Sequence, residues 1–276
     1  MGRLIHEAVT VTFEDLRYDT EGHLALITLD RADARNAYSE GMVQSLVQAL
    51  DQAEADAQVR CIVLTGAGTA FSAGGDLKRM RDHSGMFAGD AAALRKAYVT
   101  HIQRIPRRIA QCDKPIIAAV NGAAIGAGLD LACMCDVRLA SEKAKFGSTF
   151  VKVGLVPGDG GAYFLARTVG LPRALDLMLT GRVFDALEAE RYGLVQRVVA
   201  PEDLMKEAKA YASTVAAQPP RAIQLTKRAA YRSWDADLET SLELAATYQG
   251  IAQRTQDHAE AVQAMLQKRA PSFTGE

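Results

Sequence analysis

The chain has 276 residues, 49% of them hydrophobic and 24% charged, enough to bury a sizeable core and unlike a disordered, collagenous or membrane-bundle composition. With 32 Lys+Arg against 33 Asp+Glu the net charge is -1, so no global field holds nucleic acid or an anionic membrane, and any anionic ligand must be held locally. The longest uncharged run, Pro115 to Leu129, is shorter than a membrane span, and Glu7, Glu14 and Asp15 interrupt any secretory signal, so a cytoplasmic protein without membrane or nucleic-acid partners is expected.

In chain order, Thr10 to Tyr18 and His23 to Asp30 read as two strands around a Thr20-Glu21-Gly22 turn. Ser39 stands at an N-cap position, and Met42, Val43, Leu46, Val47, Leu50 and Ala53 recur at helical spacing after it. Val59 to Thr65 reads as a buried strand. A glycine-rich loop at 72 to 75 follows, then a polar segment from His83 to Asp90 expected to be mobile, then one long helix from Ala91 to Gln111. Pro115 ends it, and Ile116 to Val120 is the next strand. Asn121-Gly122 leads into Gly126-Ala127-Gly128 and a short apolar helix over Leu129 to Met134, with strands at Val137 to Ala140 and Ala144 to Phe146. Strand, crossover helix and strand in this order predict an α/β core of mostly parallel strands.

From Asp159 the pattern is helical, broken by Leu194 to Val199, and it ends in one helix predicted over Asp237 to Arg269. Its apolar positions, including Leu238, Leu242, Tyr248, Ile251, Val262 and Leu266, need a partner surface, either the core or another subunit. The cysteines at 61, 112, 133 and 135 sit mostly in apolar runs, as reduced core thiols do, and with five scattered histidines they form no metal-ligand pattern.

Two glycine-rich turns each follow a strand directly: Phe71-Ser72-Ala73-Gly74-Gly75-Asp76 and Asn121-Gly122-Ala123-Ala124-Ile125-Gly126-Ala127-Gly128. Such turns let a ligand approach the backbone and leave amide N–H groups free to donate, although tight helix-on-sheet packing produces the same glycines. Neither fits a dinucleotide or Walker fingerprint. Together with Arg31 to Ala37, Lys114 to Gly122, Cys135-Asp136-Val137-Arg138, and Gly154-Leu155-Val156-Pro157-Gly158-Asp159-Gly160-Gly161, they resemble the enoyl-CoA hydratase/isomerase (crotonase) family, in its order and spacing over roughly residues 10 to 200.

The resemblance implies a crotonase-like spiral of ββα units over residues 1–200 with an acyl-CoA site. It also implies a C-terminal helical oligomerisation region over 201–276 that builds a homotrimer or homohexamer. It places the N–H donors for a thioester enolate on Gly75 and Ala127, where fixed dipoles are worth about 3 to 4 kcal/mol per donor. The first glutamate of the family's hydratases corresponds to Asp130, and the second falls on Phe150, which exchanges no proton. Asp159 is the replacement candidate, either catalytic or an N-cap of the helix from Gly160. For CoA, the family's positions point to Arg35, Ala37, Ala73, Asp76, Leu77 and Lys78. The implied activity is hydration of a 2-enoyl-CoA with no metal or redox cofactor. Enoyl-CoA isomerisation is the enzymatic alternative, and a non-catalytic CoA-binding protein is the alternative of another class.

Overall fold

The computed structural model describes residues 12–276. β1 (Leu16–Glu21) and β2 (Leu24–Leu29) form an antiparallel hairpin, Glu21 opposite Leu24 across Gly22 and His23. The first strand begins later than its sequence pattern predicts because Asp15, at φ +56°, is not extended; Thr10 and Val11 lie outside the described residues. Ser39 caps α1 (Glu40–Ala55), its hydroxyl accepting from Met42 N–H at 2.9 Å, and the predicted apolar stripe is buried.

The chain then repeats a strand–strand–helix unit. β3 (Cys61–Gly66), β4 (Ala70–Ser72) and α2 (Leu77–Arg81) form the first, and β5 (Ile116–Val120), β6 (Ala123–Ile125) and α5 (Ala127–Met134) the second. β7 (Val137–Ser141), β8 (Lys145–Gly147) and α6 (Gly161–Val169) form the third. With β10 (Arg197–Val199), the first strand of each unit joins a six-stranded sheet in the order β1-β2-β3-β5-β7-β10. The second strands, with β9 (Phe184–Asp185), form a smaller sheet in the order β4-β6-β8-β9. Each unit therefore steps from one sheet to the other, which is the spiral the resemblance implies. Apart from the β1–β2 and β8–β9 pairs, neighbouring strands are parallel.

Parallel strands covered on both faces are apolar throughout, and all residues of β3 and β5 are buried. Side chains alternate between two cores. Ile62, Leu64, Ile116, Ala118 and Val120 face α1 and α5, while Cys61, Val63, Ile117 and Ala119 face α9 (Leu204–Ala216).

Several predicted elements differ from those observed. The helix predicted over 91–111 is two, α3 (Ala91–Thr100) and α4 (Arg104–Gln111). Pro106 lacks the N–H that a continuous helix would donate to the Ile102 carbonyl, and Ile105 N–H donates to that oxygen instead. The segment from His83 to Asp90 is anchored by Met86 and Phe87, both buried in a short 3-10 turn. After α7 (Leu171–Thr180) comes the short β9, which no apolar run marks in the sequence; α8 (Ala186–Arg191) follows it. Beyond α10 (Pro220–Ser233), the helix predicted over 237–269 is also two, α11 (Leu238–Ala252) and α12 (Gln256–Gln267). Thr255 starts the second by accepting from His258 N–H at 3.1 Å. Leu238, Leu242, Ile251, Val262, Met265 and Leu266 on these helices are exposed in the monomer. Among the described residues, no helix is long and apolar enough to cross a membrane.

Candidate active site

β4 and β6 are parallel neighbours, Ala70 beside Ala123 and Ser72 beside Ala124, so the two glycine-rich turns leave the same end of one sheet side by side. Contact between them is close enough to demand glycine. Gly128 lies against the Ser72 carbonyl, and Gly74, at φ +82°, has no room for a methyl group: its Cβ would fall 2.5 Å from the Ile125 carbonyl oxygen and 2.9 Å from the Ala127 nitrogen.

The first turn is held from the segment before α1. Ala73 N–H donates to Arg35 O at 2.9 Å, Tyr38 N–H to Gly74 O at 2.7 Å, and Ser72 Oγ to Asn36 O at 2.8 Å. Asn36 is fully buried at φ +56°, a conformation Asn tolerates better than most residues, and its side-chain amide donates to Ala67 O at 2.9 Å and Ala70 O at 2.8 Å. Tyr38 bridges the turns, since its phenol also donates to Ala127 O at 3.3 Å. Burial above all, and then the nearby carboxyl groups of Asp159 and Asp130, hold that phenol well above its usual range, so it stays a neutral donor. Sequence reasoning missed Tyr38, although it directly follows the Arg31 to Ala37 segment.

Among the described residues, neither Gly75 N–H nor Ala127 N–H donates to a protein acceptor. Ala127 is the first residue of α5, so its amide also lies at the positive end of that helix. Both residues line one cavity of about 120 Å³, with Tyr38, Ala73, Leu77, Met80, Tyr98, Phe150 and Asp159 among the other walls. Two free amides at the mouth of adjacent parallel strands can hold an oxygen that is gaining negative charge.

The two aspartates are not equivalent. Asp159 lines the cavity; Asp130 is not among its walls, and its carboxylate is packed against Gly161. Both are almost wholly buried, and neither Asp130 oxygen has a hydrogen-bond partner in the geometry observed. Burial first, and then the neighbouring Asp159 carboxylate, push Asp130 well above the usual carboxylate range. Burial also raises Asp159, while its interaction with Asp130 works in the opposite sense. Two such groups in a dry site share one proton. Of the pair, Asp159 is the one that faces the cavity. Asp159 does not cap α6, whose N-cap is Gly160 with no side-chain cap bond, so the capping alternative is set aside.

Phe150, the position onto which the resemblance put the second acid, stands beside Gly126 and walls the cavity with an aromatic ring. Of the positions expected to contact CoA, Ala73 and Leu77 line the cavity, while Arg35 and Lys78 are exposed. Ala37 is buried and its carbonyl accepts from Arg31 at 3.2 Å. The Asp76 carboxylate is occupied within the fold, where it caps α2 and pairs with Arg31 at 3.0 Å. Burial works to raise its carboxyl, but donation from Arg79 N–H and from Arg31 outweighs this and holds it below the usual range.

A family model described as enoyl-CoA hydratase/isomerase matches residues 19–276. The chain belongs to the enoyl-CoA hydratase/isomerase family. It is 36% identical over 264 residues to a probable enoyl-CoA hydratase of Mycobacterium bovis, covering 96% of this chain and 99% of that protein. It is 39% identical over 249 residues to the 1,2-epoxyphenylacetyl-CoA isomerase of Escherichia coli, covering 90% and 94% of the two chains. The crystal structure of an enoyl-CoA hydratase from Bacillus anthracis superposes with a TM-score of 0.89 at 34% identity, covering 95% of this chain and 100% of that one. The crotonase-like spiral that the resemblance implied is therefore the fold of this chain.

Proposed function

We propose that this enzyme hydrates a 2-enoyl-CoA through a thioester enolate. The observation that carries the reading is the convergence of two unpartnered amides, Gly75 and Ala127, and one buried carboxylate, Asp159, on a single cavity. The thioester oxygen accepts from both amides. Asp159 takes a proton from a water as that water's oxygen bonds to Cβ of the acyl group, and the π electrons move onto the thioester oxygen as an enolate. The same carboxyl then returns its proton to Cα, so one water is added and the carboxylate is regenerated. Asp130 holds its proton behind Asp159 and supports the anion. Arg35 and Lys78 are assigned to the CoA phosphates, and the carbonyls of Ala37, Ala73 and Leu77 to its adenine and pantetheine. No metal or redox group enters this scheme, because the two amides stabilise the charge a Lewis acid would otherwise hold.

A second reading, isomerisation of an enoyl-CoA, is supported by Phe150: a single carboxylate facing an apolar wall suits moving one proton between carbons. Loss of the conjugated thioester absorbance on adding short, long or aromatic enoyl-CoA tests hydration. If none is hydrated but an acyl-CoA exchanges its α-proton with solvent deuterium, isomerisation replaces it. If neither occurs while CoA still binds, a binding role replaces both.

The exposed apolar faces of α11 and α12 support a homotrimer or a pair of trimers, with Leu242, Tyr248 and Val262 at or near subunit contacts. A monomer at micromolar concentration in sedimentation would refute that. Four buried cysteines without disulfides support a reducing, cytoplasmic setting.

A further inference from the structure

We infer that Gln103, in the joint between α3 and α4, is a positioning residue for Asp159. The inference rests on the proposed acid–base role of Asp159 and adds the device that aims it. The Gln103 side-chain amide donates to the carbonyl of Gly158, the residue before Asp159, at 2.9 Å. Its own Oε1 accepts from Arg107 at 3.0 Å, which fixes which end of the amide faces the loop, since only the NH2 end can donate to a carbonyl. Arg107 is in turn anchored on Val99 O at 2.7 Å.

The joint owes its existence to Pro106. A continuous helix through 91–111 would carry Gln103 on its regular helical path; instead Gln103 N–H reaches back to Tyr98 O at 2.9 Å and the chain reorients at His101 to Gln103. Pro106 also stands beside Gly160, and the Tyr98 ring packs on Gly158, where an added Cβ would lie 3.0 Å from it. The loop bearing Asp159 is thus gripped by α3 and α4 at Gly158 and at Gly160, on either side of the carboxylate.

The same joint builds part of the cavity wall, because Tyr98 and Ile102 line it together with Asp159. An acyl group seated against Tyr98 and Ile102 therefore bears on the element that aims the carboxylate. Acyl fit and proton transfer become coupled through Gln103, although Gln103 is not among the residues lining the cavity.

The test is Gln103→Leu, which keeps the bulk and removes the donor, with Gln103→Glu as a second variant that sets an acceptor against the Gly158 carbonyl. A carboxylate displaced by even about 1 Å loses on the order of a hundredfold in rate. Both variants should lose tenfold to a hundredfold in kcat with KM changed less than threefold. Amide hydrogen exchange in the 157–161 loop should quicken in both while the sheet strands stay protected. Wild-type kcat together with unchanged loop exchange would overturn the inference, as would a kcat loss restored by lowering the temperature, which marks general destabilisation. If the wild type turns over no enoyl-CoA and exchanges no α-proton, the proposed function fails; the loop exchange then decides the role of Gln103 by itself.

Discussion

Replacing Gly74 by alanine probes the junction of the two amide-bearing turns while leaving both donor residues, Gly75 and Ala127, in the sequence; its methyl would press on the Ala127 nitrogen, 2.9 Å away, as well as on the Ile125 carbonyl. The added methyl would sit 2.5 Å from the Ile125 carbonyl oxygen, and a relaxed carbon–oxygen contact needs about 3.3 Å, so the turns must separate by about 0.8 Å. At φ +82° the alanine is also strained by about 1 to 2 kcal/mol. The separation moves Ala127 N–H away from Gly75 N–H, and a mismatch near 1 Å in such a site costs about a hundredfold in turnover, or about 2.7 kcal/mol of transition-state stabilisation. The control is Gly75→Ala, whose methyl would meet only the flexible end of Met80. Enoyl-CoA turnover measured at saturation, beside a thermal melt, should show a large kcat loss in Gly74→Ala, a modest fall in Tm, and a much smaller kcat loss in Gly75→Ala. Wild-type kcat in folded Gly74→Ala, or equal losses in the two variants, would refute the argument that contact between the turns sets the donor geometry.

Asp130 titrates higher in the folded protein than in the unfolded chain, so the stability linked to it is present below the ordinary Asp range and is lost as pH rises through its raised value. Asp130→Asn should therefore gain stability relative to wild type at pH 8 and not at pH 4, by about 1.4 kcal/mol for each pH unit of elevation, seen as a raised Tm at pH 8 only; an identical Tm difference at both pH values contradicts this. Asp130→Leu removes the partner that favours the Asp159 anion, so the acid limb of kcat/KM should move to higher pH in that variant and stay in place in Asp130→Asn. Asn36→Ala leaves the Ala67 carbonyl and the Arg31 amide without their side-chain partner and the Ala70 carbonyl with only the longer bond from Asn121, at a left-handed position; a loss of about 3 kcal/mol by denaturant melts is expected, and a loss below 1 kcal/mol counts against its role in holding the first turn.

Much of the site was legible because it is backbone. Glycine-rich turns after strands announce backbone amides able to donate, the family resemblance is what put them on Gly75 and Ala127, and the register of β4 and β6 brings the two turns together. Which aspartate lines the cavity was not legible. Asp130 is three residues past Ala127, but that spacing gives a position on α5 and says nothing of the loop that packs on it; the structure sets the Asp130 carboxylate against Gly161 and lines the cavity with Asp159. The break at Pro106 could have been read, since a proline inside a helical pattern removes a donor, yet the apolar spacing of Ile102, Ile105 and Ile109 masked it. Thr255, with its hydroxyl capping His258 N–H, was a comparable unread stop in the last helix. Gln103 carried no signal at all, because its partner is a carbonyl 55 residues away.

The central claim is that Asp159, with Asp130 behind it, is the group that moves the proton, and the direct measurement is the decay of enoyl-CoA absorbance with wild type, Asp159→Asn and Asp130→Asn under matched conditions. Asp159→Asn should fall by about two to four orders of magnitude in kcat while still binding acyl-CoA, and Asp130→Asn, a neutral stand-in for the protonated acid, should lose far less. An active Asp159→Asn beside an inactive but folded Asp130→Asn would contradict the account.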